Sequence, residues 1–277
     1  TKKYSSLLAL DAEFAKKDFN DELLQHRDID VRLRPMYQVV FTGEKNEINY
    51  ALEHKYENPL LARFEDASSV GIGVRNSSIA LSESVIKEIE EAAWTTAESP
   101  SSQELFLRGL YDNEQNMFNS AQNYYTEAIA KAEETAGVEG LYKVFYLMNR
   151  GVLRAEMIEF ISSIENSVQV LSMDDSGNTR ARVKDQVTRQ YDYSDAIQDM
   201  KDAATVVTNI PYIYYNLGNL YCLSSEHIAS LENYTKAIEL YPYMGDAYFN
   251  RGLVLIYLKD KEKGCIDLSR AGELGVQ

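Results

Sequence analysis

Apolar positions along this chain follow a mixed rhythm at first and then settle into a helical one. "SSLLALDAEFAKKDFNDELL" places Leu7, Leu8, Phe14 and Leu23 broadly on one helix face. "DIDVRLRPMYQVVFTG" alternates at Ile29, Val31 and Leu33, then resumes at Val39, Val40 and Phe41. Pro35 between the two runs predicts two strands or an edge strand, because proline cannot donate to a ladder. "NEINYALEHKYENP" predicts a short helix ended by Pro59, and "SSVGIGVRNSSIAL" predicts short strands broken at Asn76. "SESVIKEIEEAAWTTA" predicts a helix capped by Ser82 or Ser84, with its stripe at Val85, Ile89 and Ala93. Residues 1–98 therefore read as a small α+β module. The Ser/Thr-rich stretch "TTAESPSSQ" at 95–103 marks its boundary.

Beyond that boundary the pattern repeats. Around Gly218, Tyr214 lies four residues before, and Tyr221, Ser230, Tyr234 and Ala237 lie three, twelve, sixteen and nineteen after. Gly252, 34 residues on, has Tyr248, Leu255, Gly264, Leu268 and Ala271 at the same offsets. Gly109 has Leu105, Ala121, Tyr125 and Ala128, and Gly151 has Leu147, Ser163, Ser167 and Val170. A further half-unit, "YSDAIQDMKDAATVV" at 193–207, offers Ala196, Met200 and Ala203. Small residues at the first and twelfth positions let two helices approach closely, and aromatics fill the space between successive pairs.

This spacing resembles the tetratricopeptide repeat family, of bacterial type with an extra N-terminal domain. The resemblance implies a mainly α solenoid of four to five helix pairs over 99–277. The units are 102–135, 144–175, a degenerate 177–210, 211–244 and 245–277. Two irregularities interrupt it. "AEETAGVEGLY" lengthens the interval from Gly109 to Gly151 to 42 residues. "EMIEFISSIENSVQVL" has helical spacing at Met157, Ile161, Ile164, Val168 and Leu171, yet "SVQVLSMDDSGNTRARVKDQV" also reads as a β-hairpin. Both readings stay open over about 168–187, with a helix to about residue 165 followed by an inserted hairpin as the favoured one.

Composition narrows the function. With 28 Lys plus Arg against 43 Asp plus Glu, the net charge of −15 disfavours nucleic acid and favours a basic or neutral protein partner, besides keeping the chain in solution. No apolar run reaches the length of a membrane span. A start at Thr1 reads as a processed or truncated piece, so the compartment stays open. Cys222 and Cys265 form no CxxC pair, and His26, His54 and His227 share no metal-binding spacing. "GIGVRN" lacks the third glycine of a dinucleotide fingerprint, and "SMDDSGN" has the residues of a turn rather than of a calcium loop. No cofactor or metal is expected.

In a tetratricopeptide array the first helix of each pair lines a concave groove. The resemblance thus implies a peptide-binding face at Phe106, Met148, Asn149, Tyr212, Tyr215, Asn216, Asn219, Phe249, Asn250 and Tyr257. Asn219 and Asn250 also resemble the two-asparagine clamp with which some members hold a peptide carboxylate, although Tyr215 stands where a lysine belongs. The leading expectation is a non-catalytic interaction scaffold that binds a peptide or protein in this groove. The alternatives are a hydrolase or transferase with an acidic site in the α+β module, and a purely structural piece of a longer chain.

Overall fold

In the computed structural model the described residues are 32–42, 71–94, 99–135, 142–171 and 191–276. The chain divides into two compact units, Thr1–Leu33 and Arg34–Gln277. The first lies almost wholly outside the described residues. The expected helices near residues 7–23 and 48–59, and strand positions Ile29 and Val31, also lie outside them.

The second unit opens with two strands, β1 (Tyr37–Thr42) and β2 (Gly71–Asn76), paired antiparallel with Tyr37 opposite Asn76 and Val39 opposite Val74. The helices that follow are α1 (Glu83–Ala93), α2 (Ser102–Glu114), α3 (Phe118–Glu134), α4 (Lys143–Leu171) and α5 (Ser194–Val206). They continue as α6 (Pro211–Leu223), α7 (His227–Leu240), α8 (Gly245–Tyr257) and α9 (Lys261–Glu273). Consecutive helices pack on one another from α1 to α9, and β1 packs on α4 and α6. The result is a mainly α solenoid. No described helix is long and apolar enough to cross a membrane.

Local chemistry explains the helix ends. Ser101 caps α2 by accepting from the Glu104 amide at 3.2 Å, while its own amide donates to Glu104 Oε2 at 2.6 Å. Ser82 sits at the cap position of α1 with extended backbone but no side-chain cap bond. Pro211 opens α6, where its missing N–H costs nothing. Three of the pairs turn through a left-handed residue seven positions after their glycine: Asn116, Ser225 and Lys259, with φ of 59°, 63° and 68°. The following amide then reaches back to the helix it has just left, as Glu226 N does to Tyr221 O at 2.8 Å.

The repeat register holds at three of the four glycines and shifts at the other. A methyl placed on Gly218 would lie 2.4 Å from the Tyr234 ring, sixteen residues on, and Ser230 Oγ donates to Gly218 O at 2.8 Å. Gly109 meets Tyr125 in the same way. At Gly151, expected to face residues 163–170, the nearest neighbours come instead from the next helix. They are Met200, the Ala196 carbonyl and Asp199. The units read as 144–175 and 177–210 are therefore one helix pair, α4 with α5, split by an insertion between its two halves. Helix α4 also runs to Leu171, beyond the expected end near 165 and through the first residues assigned to the hairpin. The rest of that hairpin lies outside the described residues. The described helices thus make four pairs preceded by α1.

These contacts set opposite outcomes for two glycines. Gly218→Ala pushes a methyl into the buried Tyr234 ring and is expected to lower unfolding free energy by about 2 kcal/mol. Gly272→Ala, late in α9 with nothing within 4 Å of the new methyl, is expected to raise it by about 0.5 kcal/mol. Urea titration of both variants checks the pair.

Candidate functional site

The groove is lined by the inner faces of α4, α6 and α8, and it holds an extended stretch of this same chain. Each of those helices carries an asparagine two residues before its glycine: Asn149, Asn216 and Asn250. Asn149 Oδ1 accepts from the Val39 amide at 2.8 Å and its Nδ2 donates to the Val39 carbonyl at 2.8 Å. Asn216 does the same to Tyr37, at 2.8 and 2.7 Å. Asn250 does so to Arg34, at 2.6 and 3.1 Å. The segment runs against the order of the repeats, with Arg34 at α8, Tyr37 at α6 and Val39 at α4.

Strand geometry makes this possible. In an antiparallel pair, alternate residues turn their N–H and C=O toward the partner strand and the others turn theirs away. Ser77 N donates to Met36 O at 2.8 Å, which fixes the parity. Gln38 and Val40 consequently pair with Arg75 and Gly73, leaving Tyr37 and Val39 facing the asparagines. Pro35 has no amide to satisfy and accounts for the longer step from Arg34 to Tyr37.

Further groups complete the cradle. Tyr215 Oη donates to the carbonyls of Arg34 at 2.8 Å and Pro35 at 3.1 Å. Asn219 Nδ2 donates to Arg34 O at 2.8 Å, and its Oδ1 accepts from Tyr234 Oη at 2.7 Å and Asn250 Nδ2 at 2.9 Å. The asparagine pair thus meets a backbone carbonyl where the resemblance implied a terminal carboxylate. The Tyr37 ring packs against Tyr212 at 4.8 Å and Tyr215 at 5.2 Å, and its hydroxyl donates to Asp246. Burial and the facing Asp246 carboxylate push the Tyr37 hydroxyl far above its ordinary range, so it remains a donor. The Arg34 guanidinium lies over Phe249, 4.8 Å from the ring centre.

The same tripeptide that aims the asparagine also fixes its helix. In Asn149-Arg150-Gly151, Arg150 reaches Asp199 on α5 with two bonds of 3.1 and 2.6 Å, and Arg154 adds a third at 2.7 Å. In Asn250-Arg251-Gly252, Arg251 reaches Asp267 on α9 at 2.7 and 2.8 Å. One residue faces the groove, the next pairs with the second helix, and the glycine lets that helix approach.

Of the residues expected in the groove, Asn149, Tyr212, Tyr215, Asn216, Asn219, Phe249 and Asn250 meet at the segment. Phe106 and Met148 are fully buried, with Phe106 packed between Tyr125 and Tyr146 at 5.7 and 4.7 Å. Tyr257 is 60% exposed and stacks edge-on with His227 at 4.7 Å. Two participants escaped the sequence reading. One is Asp246, a lone acid in the first turn of α8. The other is the occupant itself, which the sequence pattern assigns to the α+β module. The recurrence of asparagine two before glycine, together with a proline-marked strand, was the available signal.

On the far side of the sheet, Arg75 pairs with Glu114 of α2. Glu156 of α4 lies beside them, its carboxyl pushed up to about 7, first by burial, with Glu159 and Glu114 adding and Ser77 and Arg75 opposing. Among the described residues no three His, Cys, Asp or Glu side chains converge as metal ligands.

Four stacked helix pairs, the repeating glycine contacts and the shared left-handed turns define the architecture. It is a tetratricopeptide-type array. No family model matches the chain, and no curated protein matches it. Solved structures do align with it. MamA from Desulfovibrio magneticus is 12% identical with a TM-score of 0.47, covering 83% of this chain and 97% of that one. YrrB, described as a TPR protein with an unusual peptide-binding site, is 14% identical with a TM-score of 0.45, covering 83% and 93%. A tetratricopeptide repeat protein from Parabacteroides merdae is 17% identical with a TM-score of 0.44, covering 63% and 53%.

Two outcomes follow for stability. Asn216→Ala strips the partners from both the N–H and the C=O of Tyr37 and is expected to cost about 2–4 kcal/mol of unfolding free energy, with faster amide exchange at Tyr37. Glu156 binds its proton more tightly folded than unfolded. Its contribution therefore makes the fold more stable as pH falls from about 7 toward the ordinary glutamate range, and less stable as pH rises through about 7. Glu156→Gln should flatten that part of the stability profile in denaturant titrations across pH 5–8.

Proposed function

We propose that this chain is a non-catalytic interaction scaffold whose concave groove binds an extended segment of a protein partner by its backbone. The observation that carries this reading is the set of three asparagines, each bonded to both the N–H and the C=O of one residue in an extended segment. Such contacts accept any residue that has a backbone N–H, so proline apart they supply affinity without fixing sequence. The chain's own residues 34–39 act as a tethered ligand, and a partner engages by taking their place. A tethered segment is present at a high effective concentration, which sets a threshold that the partner must exceed.

The test uses a labelled peptide of residues 32–42 and the full chain carrying Tyr37→Ala, which weakens the internal occupant and leaves every groove residue intact. Fluorescence anisotropy should show saturable binding, at least tenfold weaker when Asn149→Ala and Asn216→Ala are added. Equal binding with and without the asparagines would place the peptide somewhere other than the groove.

A further inference from the structure

We infer that the groove selects partner segments with a basic residue, a tyrosine three positions later and an aliphatic residue two beyond it. This selectivity rests on the backbone-reading function proposed above. The asparagines hold the segment but do not distinguish sequences. Three side-chain sites lie at the residues they hold, and each has its own chemistry.

The first site, at Arg34, is the Phe249 face, with the guanidinium centre 4.8 Å from the ring centre. An aromatic face attracts a cation and offers nothing comparable to an acid or an amide. The chain's net charge of −15 favours the same sign at longer range. The second site, at Tyr37, is formed by the rings of Tyr212 and Tyr215 and closed by the Asp246 carboxylate. The rings accept any aromatic side chain. The carboxylate requires a donor at the ring's far end, so phenylalanine would leave a charged acceptor without its partner. A phosphotyrosine would set a dianion against Asp246 and is excluded by repulsion. The third site, at Val39, is almost fully enclosed, with the residue 1% exposed, and it rejects charge by desolvation.

Spacing and direction are also specified. Arg34, Tyr37 and Val39 sit three and then two residues apart because Asn250, Asn216 and Asn149 catch them in that order. Between the first two, Pro35 needs no amide partner, and its carbonyl accepts from Tyr215 at 3.1 Å. Proline also biases the residue before it toward the extended conformation that the groove holds. The partner is thus a protein carrying an extended basic-Pro-x-Tyr-x-aliphatic stretch whose tyrosine is unmodified.

The experiment compares labelled peptides on the full chain opened by Tyr37→Ala, with Arg34→Ala as a second opened chain in case the first does not fold. Circular dichroism establishes folding. The peptide of residues 32–42 should bind best. The same peptide with Arg34→Ala should bind about fivefold weaker, with Tyr37→Phe about tenfold weaker, and with phosphorylated Tyr37 at least a hundredfold weaker. The unaltered chain should give the same ranking at uniformly lower affinity, because its own segment competes. Equal affinities across the four peptides would overturn the selectivity while leaving the backbone-reading groove in place. Failure of every peptide on both folded opened chains would overturn the groove reading itself. Uptake seen only as concentration-dependent dimers, lost with Asn216→Ala, would assign the groove to a second copy and overturn the external partner.

Discussion

The structure depends on how an extended segment is satisfied on both edges while it lies among helices. Each peptide group of a strand must find a partner when buried. β2 supplies partners along one edge of β1. The helices cannot supply them along the other from their own backbones, whose N–H and C=O groups are already spent on one another. A side-chain carboxamide is the group that offers a donor and an acceptor together in peptide geometry. Asn149, Asn216 and Asn250 therefore behave as short pieces of a third strand, carried one per helix. With them in place Val39 and Val40 can be buried at 1% and 0% exposure without stranding their backbone.

This arrangement joins the core and the proposed binding surface in one place. The aromatic residues that define the groove, Tyr212 and Tyr215, are 3% and 0% exposed, and they cluster with the interior of the solenoid. Tyr234 links the two: its ring is packed over Gly218, and its hydroxyl orients Asn219 toward Arg34. The paired ions Arg150–Asp199 and Arg251–Asp267 stand behind Asn149 and Asn250 and lock α4 to α5 and α8 to α9. Orientation of the asparagines is in this sense a product of the repeat packing, and a change in helix spacing would move the hydrogen-bonding groups with it.

Much of the helical part was readable because its constraints are local and periodic. Gly218 with Tyr234, and Gly109 with Tyr125, follow from fixed offsets. The strand at 71–76 and the helix starting after Ser82 follow from alternation and capping signals. The split pair was not readable in the same way, since Gly151 finds Ala196 forty-five residues on and the offset rule looks only twelve ahead. The inner-face positions on α6 and α8 that meet the segment follow from which face the consensus leaves free. Their occupant did not follow, because no local pattern joins Arg34 to Asn250. Phe106 and Met148 lie on the inner helices but are enclosed by neighbours, and burial of that kind is set by packing between elements rather than by position along one helix.

The distance in sequence between strand and clasp has a consequence for how the molecule is made. Arg34 is separated from Asn250 by 216 residues, and Tyr37 from Asn216 by 179. During synthesis the segment leaves the ribosome long before the helices that receive it, and at about 5–20 residues per second the wait lasts tens of seconds at the slow end. Helix pairs such as α6 with α7 form from near neighbours and need no such delay. For that interval the nascent chain carries an extended, partly apolar stretch whose final contacts do not yet exist, and its safe passage falls to whatever shields it, whether a chaperone or the residues around it.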